Sequence, residues 1–166
     1  MGLADAMLAE LGHEAGTTRR LLERVPAEHF GWKPHEKSMT LGRLAQHIAE
    51  IPGWISTIVE QDEFDVGARG GSAPPGPKDR AELLQLFEGN IGRITDVLKR
   101  QSDERMLAPW RLKRQGQVIL EMPRAAMIRS LALNHMVHHR GQLSVYLRLQ
   151  NVPLPSIYGP TADEPM

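Results

Sequence analysis

Apolar residues in this chain recur mainly at the three- and four-residue spacing of amphipathic helices. Leu3, Met7, Leu11, Leu21, Leu22 and Val25 follow that spacing with charges between them. They predict a first helix over residues 3–25, stopped by Pro26. Residues 27–39 carry Phe30, Trp32 and Pro34 among polar neighbours and read as a loop with apolar anchors. A second helix is predicted over residues 41–58, with Ser38 or Thr40 as its N-cap and a stripe of Leu44, Ile48, Ile51, Trp54, Ile55 and Ile58. Pro52 lies inside it and has no N–H for the Ile48 carbonyl, so the helix should bend one turn past His47.

Residues 67–77 hold four glycines and three prolines and read as an exposed connection. Asp79-Arg-Ala-Glu82 then resembles a capping box with aspartate in place of Ser or Thr. It starts a third helix running to about residue 99, carrying Leu83, Leu84, Leu86, Phe87, Ile91, Ile94 and Leu98. Gly89 and Gly92 either weaken that helix or admit a close neighbour. Residues 102–122 are ambiguous, with a short strand at 118–120 after a turn at 115–117. Pro123 is placed as the first residue of a fourth helix reaching about residue 149. The tail from residue 151 contains four prolines and should lie irregularly on the surface. No internal repeat is present. The expected fold is all-α: one domain over residues 1–166, an antiparallel four-helix bundle with at most a short β-hairpin before the last helix.

Charge changes the picture by exclusion. Lysine plus arginine equal aspartate plus glutamate at 20 each, against the basic face of a nucleic-acid binder. Cysteine is absent, which removes disulfides, thiolate nucleophiles and cysteine-type zinc sites. Any metal must use histidine or oxygen ligands. No membrane-length apolar run or signal-peptide layout is seen, and Ala6 occupies the position where a myristoylation signal needs Ser or Thr. The expected location is the cytoplasm.

Candidate chemistry rests on three of the seven histidines. On a wheel of the fourth helix, Ile128, Leu131, Ala132, Leu143, Tyr146 and Leu149 form an apolar arc, with His135 and His139 near its middle. Arg129, Ser130, Arg140, Ser144 and Arg148 take the polar side, where Arg140 would pair with an acidic neighbour. At a separation of four, the two imidazoles lie one above the other with Cβ atoms about 5–6 Å apart. Buried core histidines are the plain alternative, yet each would hide polar nitrogen, and a shared metal resolves that. His47 joins them because it continues the row Leu44, His47, Ile51, Trp54 on the core side of the second helix. Three imidazoles would leave one position open for water or substrate. His138 sits at the edge of the arc. His13, His29 and His35 read as surface residues. Gln142, three residues past His139, could hydrogen-bond a bound water or substrate, and Glu50 could orient a ligand or be solvated. Trp54 reads as core, Trp32 as a loop anchor, and Trp110 as packing or pocket wall. Asp163 or Glu164 could reach the site from the tail.

Four segments carry a resemblance: Phe30-Gly-Trp-Lys-Pro34, Ser38-Met-Thr-Leu-Gly-Arg-Leu-Ala-Gln-His47, Asn134-His-Met-Val-His-His-Arg-Gly-Gln-Leu143 and Tyr158-Gly-Pro-Thr-Ala-Asp-Glu164. In order and spacing they resemble the DinB/YfiT-like superfamily over nearly the whole chain. The resemblance implies a four-helix bundle with long crossover connections, often a homodimer. It also implies a divalent metal (zinc, nickel or iron) on His47, His135 and His139. Characterised members include transferases and isomerases that use low-molecular-weight thiols, and others are called metal-dependent hydrolases. The resulting expectation is a metal-dependent enzyme, a thiol-dependent S-transferase or a hydrolase, acting on a small molecule without nucleic-acid or membrane partners. The alternatives are a non-catalytic stress-response protein in which the ion is structural, and a DNA-associated protein, which the neutral charge opposes.

Overall fold

A computed structural model describes residues 2–67 and 76–165. Most of the connection expected at residues 67–77 lies outside them. The first helix, α1 (Leu3–Leu22), buries Met7, Leu11, Ala15, Leu21 and Leu22 on one face. It ends a turn earlier than the apolar spacing predicts, because Arg24 and Val25 bond three residues back to Leu21 and Leu22 ahead of Pro26. The second helix is split at Pro52 into α2 (Leu41–Glu50) and α3 (Gly53–Glu60). Thr40 caps α2, its hydroxyl accepting the Arg43 N–H at 3.2 Å. The loop before it is tied down by Leu41 N–H to Trp32 carbonyl and Gly42 N–H to Phe30 carbonyl, at 2.7 and 2.9 Å. A side chain at Gly42 would put its Cβ 2.9 Å from Phe30, so only glycine admits that approach.

Next come β1 (Glu63–Asp65) and α4 (Arg80–Leu98). Asp79 caps α4 by accepting the Glu82 N–H at 2.9 Å, while the Glu82 carboxylate turns back to the Lys78 N–H. Gly89 and Gly92 meet nothing within 4 Å, so they admit no neighbour. Residues 102–122 resolve into α5 (Asp103–Leu107) and a hairpin of β2 (Pro109–Arg114) and β3 (Gln117–Pro123). The turn falls where expected, with positive φ at Gln115 and Gly116. The all-α expectation is corrected here: β1 pairs parallel to β2, making a three-stranded sheet in the order β1-β2-β3. The Asp65 carboxylate secures it by accepting the Gln115 and Gly116 N–H groups at 3.0 and 2.7 Å.

The last helical stretch starts after Pro123 and has three parts: α6 (Arg124–Ile128), a π-helical segment (Arg129–Asn134) and α7 (His135–Leu149). Beyond α7, Asn151 takes the left-handed conformation, and Val152 and Asn151 donate to the Leu147 and Arg148 carbonyls in a Schellman closure. The remaining tail is irregular. Helices α1 and α2 each pack on α4 and α7, and α3 packs on α4 and α6. Among the described residues, no helix is long and apolar enough to cross a membrane.

One buried cation joins helices to sheet. The Arg124 guanidinium, 1% exposed, donates to the carbonyls of Ile58, Gln61, Ala108 and Pro109 and pairs with the Asp62 carboxylate. Burial holds its pKa below the usual arginine value. It thereby clamps the end of α3 against the hairpin. Arg124→Met should lower stability by about 2–3 kcal/mol, because several carbonyls lose their donor together. Thermal unfolding would register this as a Tm drop of about 4–12 °C. A change within 1 °C would deny the clamp its role.

Candidate metal centre

His47 sits in the last turn of α2, and His135 and His139 open α7 directly after the π segment. Their rings converge. Nε2 of His135 lies 2.7 Å from Nε2 of His139 and 3.2 Å from Nε2 of His47. Ring centroids are 4.6–5.1 Å apart. His139 is buried at 8% exposure, and the other two are partly buried. Trp54 closes one side, its ring 5.5 Å from His47 and 5.3 Å from His135.

The helix wheel located the pair correctly but for an incomplete reason. A straight 3.6-residue helix does not run through 124–149, because the π segment adds residues per turn and rotates the face of α7 relative to that of α6. In α7 the buried positions are Met136, His139, Arg140, Leu143 and Leu147. At 100° per residue these centre on Met136 and Leu147, which leaves His135 and His139 on the flank of the apolar face. Two expectations are corrected by this offset. Arg140 is 1% exposed instead of facing solvent, and Leu149 is 57% exposed instead of buried. The pairing of Arg140 with an acidic neighbour does hold: Nη1 is 2.7 Å from the Glu14 carboxylate.

Electrostatics keep the trio neutral. His47 is pushed down to about 4, chiefly by burial, then by His139, His135 and Arg43. Burial likewise lowers His135, with His139 and His138 adding to it. It also lowers His139, where the Gln142 hydrogen bond opposes the shift. Neutral imidazole is the ligating form. The Gln142 amide oxygen accepts from His139 Nδ1 at 2.7 Å, which puts the proton on Nδ1 and leaves Nε2 a bare lone pair. The Leu131 backbone opposes the downward shift of His135. The bare Nε2 of His139 faces Nε2 of His135 at 2.7 Å, an approach that a cation between them would use. His47 Nδ1 is buried without a partner among the described residues. On a tetrahedral ion with bonds of about 2.0–2.1 Å, two nitrogens sit roughly 3.3–3.4 Å apart. The 2.7 and 3.2 Å separations need only a small opening to reach that, and all three ligand atoms lie within 4.8 Å of one another. The donor set fits zinc, nickel or iron.

Other candidates are placed elsewhere. Glu50 bonds Gln46 and Arg43 at 2.7 and 3.0 Å, away from the rings. Asp163 takes Arg148 and the Leu154 N–H, and Glu164 takes Arg20, so neither tail carboxylate stands in the site. His13, His35 and His138 are exposed, while His29 is partly buried. Trp32 anchors its loop edge-on to Tyr146 at 5.7 Å. Trp54, read as core, belongs to the site wall; its signal was the spacing of seven from His47 across the Pro52 break.

The DinB family model matches residues 1–165. The chain belongs to the DinB family. The uncharacterized protein YrdA of Bacillus subtilis is 28% identical over 160 residues, covering 96% of this chain and 90% of the relative. YjoA of the same organism, also uncharacterized, is 25% identical over 141 residues, covering 79% of this chain and 80% of its own. The fold matches a DinB-like protein from Bacillus cereus at TM-score 0.73 and 20% identity, over 93% of this chain and 97% of that one. It matches a DinB-like YjoA structure from Bacillus subtilis at TM-score 0.66 and 19% identity, over 88% and 92%.

Within this DinB chain, Gln142 holds the His139 ring through its amide oxygen. Its amide bridges His139 and exposed His138, the latter at 3.1 Å. Gln142→Leu should weaken zinc binding about 10–100-fold, the usual range for losing a group that orients a ligand. Competition with a chromophoric chelator would measure it, and unchanged affinity would leave Gln142 without that role.

Proposed function

We propose that this DinB-family protein is a metal-dependent enzyme that holds one divalent cation on His47, His135 and His139. The observation that carries the reading is the convergence of three imidazoles whose ligating atoms lie within 4.8 Å of one another, with the His139 proton held on the far side by Gln142. Among the described residues no fourth histidine or carboxylate joins the trio. A three-imidazole ion with an open position supplies Lewis-acid chemistry, lowering the pKa of a water or thiol that binds it.

The chain's own groups would shape what reaches the ion. Trp54 excludes water on one side, Gln142 fixes the His139 ring, and partly buried His47 and His135 leave an approach. With no cysteine in the sequence, any thiol chemistry must draw its sulfur from a small cosubstrate, which supports an S-transferase over a covalent thiol enzyme. A hydrolase acting through water is the other reaction in this class. We read α1, the α2–α3 pair, α4 and the α6–α7 stretch as the four arms of a bundle, with the sheet carried on a crossover.

Metal analysis of purified protein tests the proposal. One zinc, nickel or iron per chain, removable by chelator and restored by titration to the same stoichiometry, is the expected result. A chain that retains none and takes up none at micromolar zinc would overturn it.

A further inference from the structure

Beside the histidine trio lies a cavity of about 380 Å³, a size within the range of small-molecule sites, roughly 300–1,000 Å³. It is walled by Trp54 and Ile58 of α3, Phe64 of β1, Trp110 and Leu112 of β2, and Leu131 of the π segment. Besides the tryptophans, two lining residues carry polar groups, Thr57 and His135. His135 also belongs to the trio, so one imidazole is shared by cavity and candidate centre. Trp54 joins the two from the other side, its ring 5.3 Å from that of His135.

Charge divides what the two parts of this site can hold. No Lys, Arg, Asp or Glu is among the described lining residues, and the Trp110 indole nitrogen is sealed behind the wall, so the body of the cavity receives apolar groups. The half-buried Thr57 makes no side-chain hydrogen bond among the described residues, whereas Thr17, Thr18 and Thr95 each donate to the carbonyl four residues back. Its uncharged hydroxyl can face an apolar occupant or donate to one, and it does not select a sign of charge. The centre does select one. His47, His135 and His139 would ligate as neutral imidazoles, and no carboxylate joins them among the described residues, so a divalent ion there keeps its whole positive charge. Arg43, one turn before His47 on α2, adds a positive charge felt by His47 and His139. A partly buried cation without a countercharge calls for an anion.

We propose that cavity and centre together bind a small organic anion, its apolar ring or chain lodged in the cavity and its anionic head meeting the cation beside His135. The inference deepens the metal-centre reading and rests on it for the head, whereas the place of the apolar body is set by the cavity wall. A compound offering only one half binds weakly. An apolar molecule leaves the cation without its countercharge, and a short hydrophilic anion leaves the wall uncovered.

Titration of isotope-labelled protein, zinc-loaded and zinc-free, with 3-phenylpropionate, propionate and propylbenzene tests this. In the zinc-loaded form 3-phenylpropionate should bind saturably and shift the methyl resonances of the lining residues Ile58, Leu112 and Leu131, leaving those of Leu21 on α1 in place. Propionate should bind about 10–100-fold more weakly, having no ring to bury. Zinc-free protein should bind 3-phenylpropionate at least about tenfold more weakly, because the head loses its countercharge. In cobalt(II)-loaded protein 3-phenylpropionate should change the visible absorption of the ion, and propylbenzene should shift the same methyl resonances without changing it. Thr57→Phe and Val66→Trp place a larger side chain at lining positions that are half-buried and 41% exposed. Each should cut 3-phenylpropionate binding at least about tenfold with zinc uptake unchanged.

Equal binding of 3-phenylpropionate and propionate, or methyl resonances that stay in place, would overturn the part given to the cavity. Equal binding with and without zinc, or unchanged cobalt absorption, would overturn the part given to the head. Zinc uptake with no probe bound would sink this inference and spare the proposed centre. A chain that takes up no zinc would sink both.

Discussion

His139→Ala is expected to abolish tight cation binding while preserving the fold. His139 is the least exposed of the three residues, and its Nε2 makes the 2.7 Å approach to His135. Two remaining imidazoles hold a divalent ion poorly. Zinc affinity should fall by more than about 100-fold, beyond what losing a supporting group alone costs. A cation that binds the folded state only, supplied at about 1,000 times its Kd, adds about 4 kcal/mol of stability. The wild-type Tm should therefore rise by about 8–16 °C with zinc, and the variant's by no more than about 3–6 °C. Without zinc the two proteins should unfold within a few degrees of each other, because alanine also removes a crowded polar nitrogen. Equal zinc-induced shifts in both would strike His139 from the ligand set.

The second large effect concerns the opposite side of α7. Arg140 is buried against α1, with Nη1 on the Glu14 carboxylate at 2.7 Å and on the Thr18 hydroxyl at 3.1 Å. Tyr158 in the tail donates its hydroxyl to that carboxylate at 2.8 Å and also meets Arg140. Burial and the Glu14 hydrogen bond raise the Tyr158 pKa, which keeps the hydroxyl a donor. Arg140→Met strands the Glu14 charge out of water, and breaking a buried pair from one side costs about 3–5 kcal/mol. Thermal unfolding should show a Tm lower by about 6–20 °C. The double variant Glu14→Gln with Arg140→Met should recover at least half of that, since no lone charge remains. A single-variant loss under 2 °C, or a double variant worse than the single, would refute a buried ion pair as the cause.

These two effects differ in how far the amino-acid pattern announces them. The histidine pair is visible because two imidazoles four apart must share a helical face, and His47 because it continues the row of Leu44 and Ile51. Caps at Thr40 and Asp79, the break at Pro52 and the turn at Gln115–Gly116 were equally legible, since each arises from a side chain acting on backbone within a few residues. The burial of Arg140 was not. Its partner lies 126 residues away, and the wheel that put it in solvent assumed a constant 100° through a stretch containing a π turn. Strand β1 escaped notice for a similar reason. Its three residues carry no alternation to read, and they are held by β2 and by the hairpin's N–H groups on Asp65.

Short-range periodicity and local capping therefore determined the long helices, the caps at Thr40 and Asp79 and the stacking of His135 with His139, because those interactions close within a few residues and need no distant partner. Tertiary packing alone decided which side of α7 meets α1, that Trp54 and the sheet enclose a cavity beside the rings, and that a guanidinium is buried at each of two junctions. Those features depend on groups far apart in the chain, whose mutual desolvation and hydrogen bonding exist only once the chain has folded.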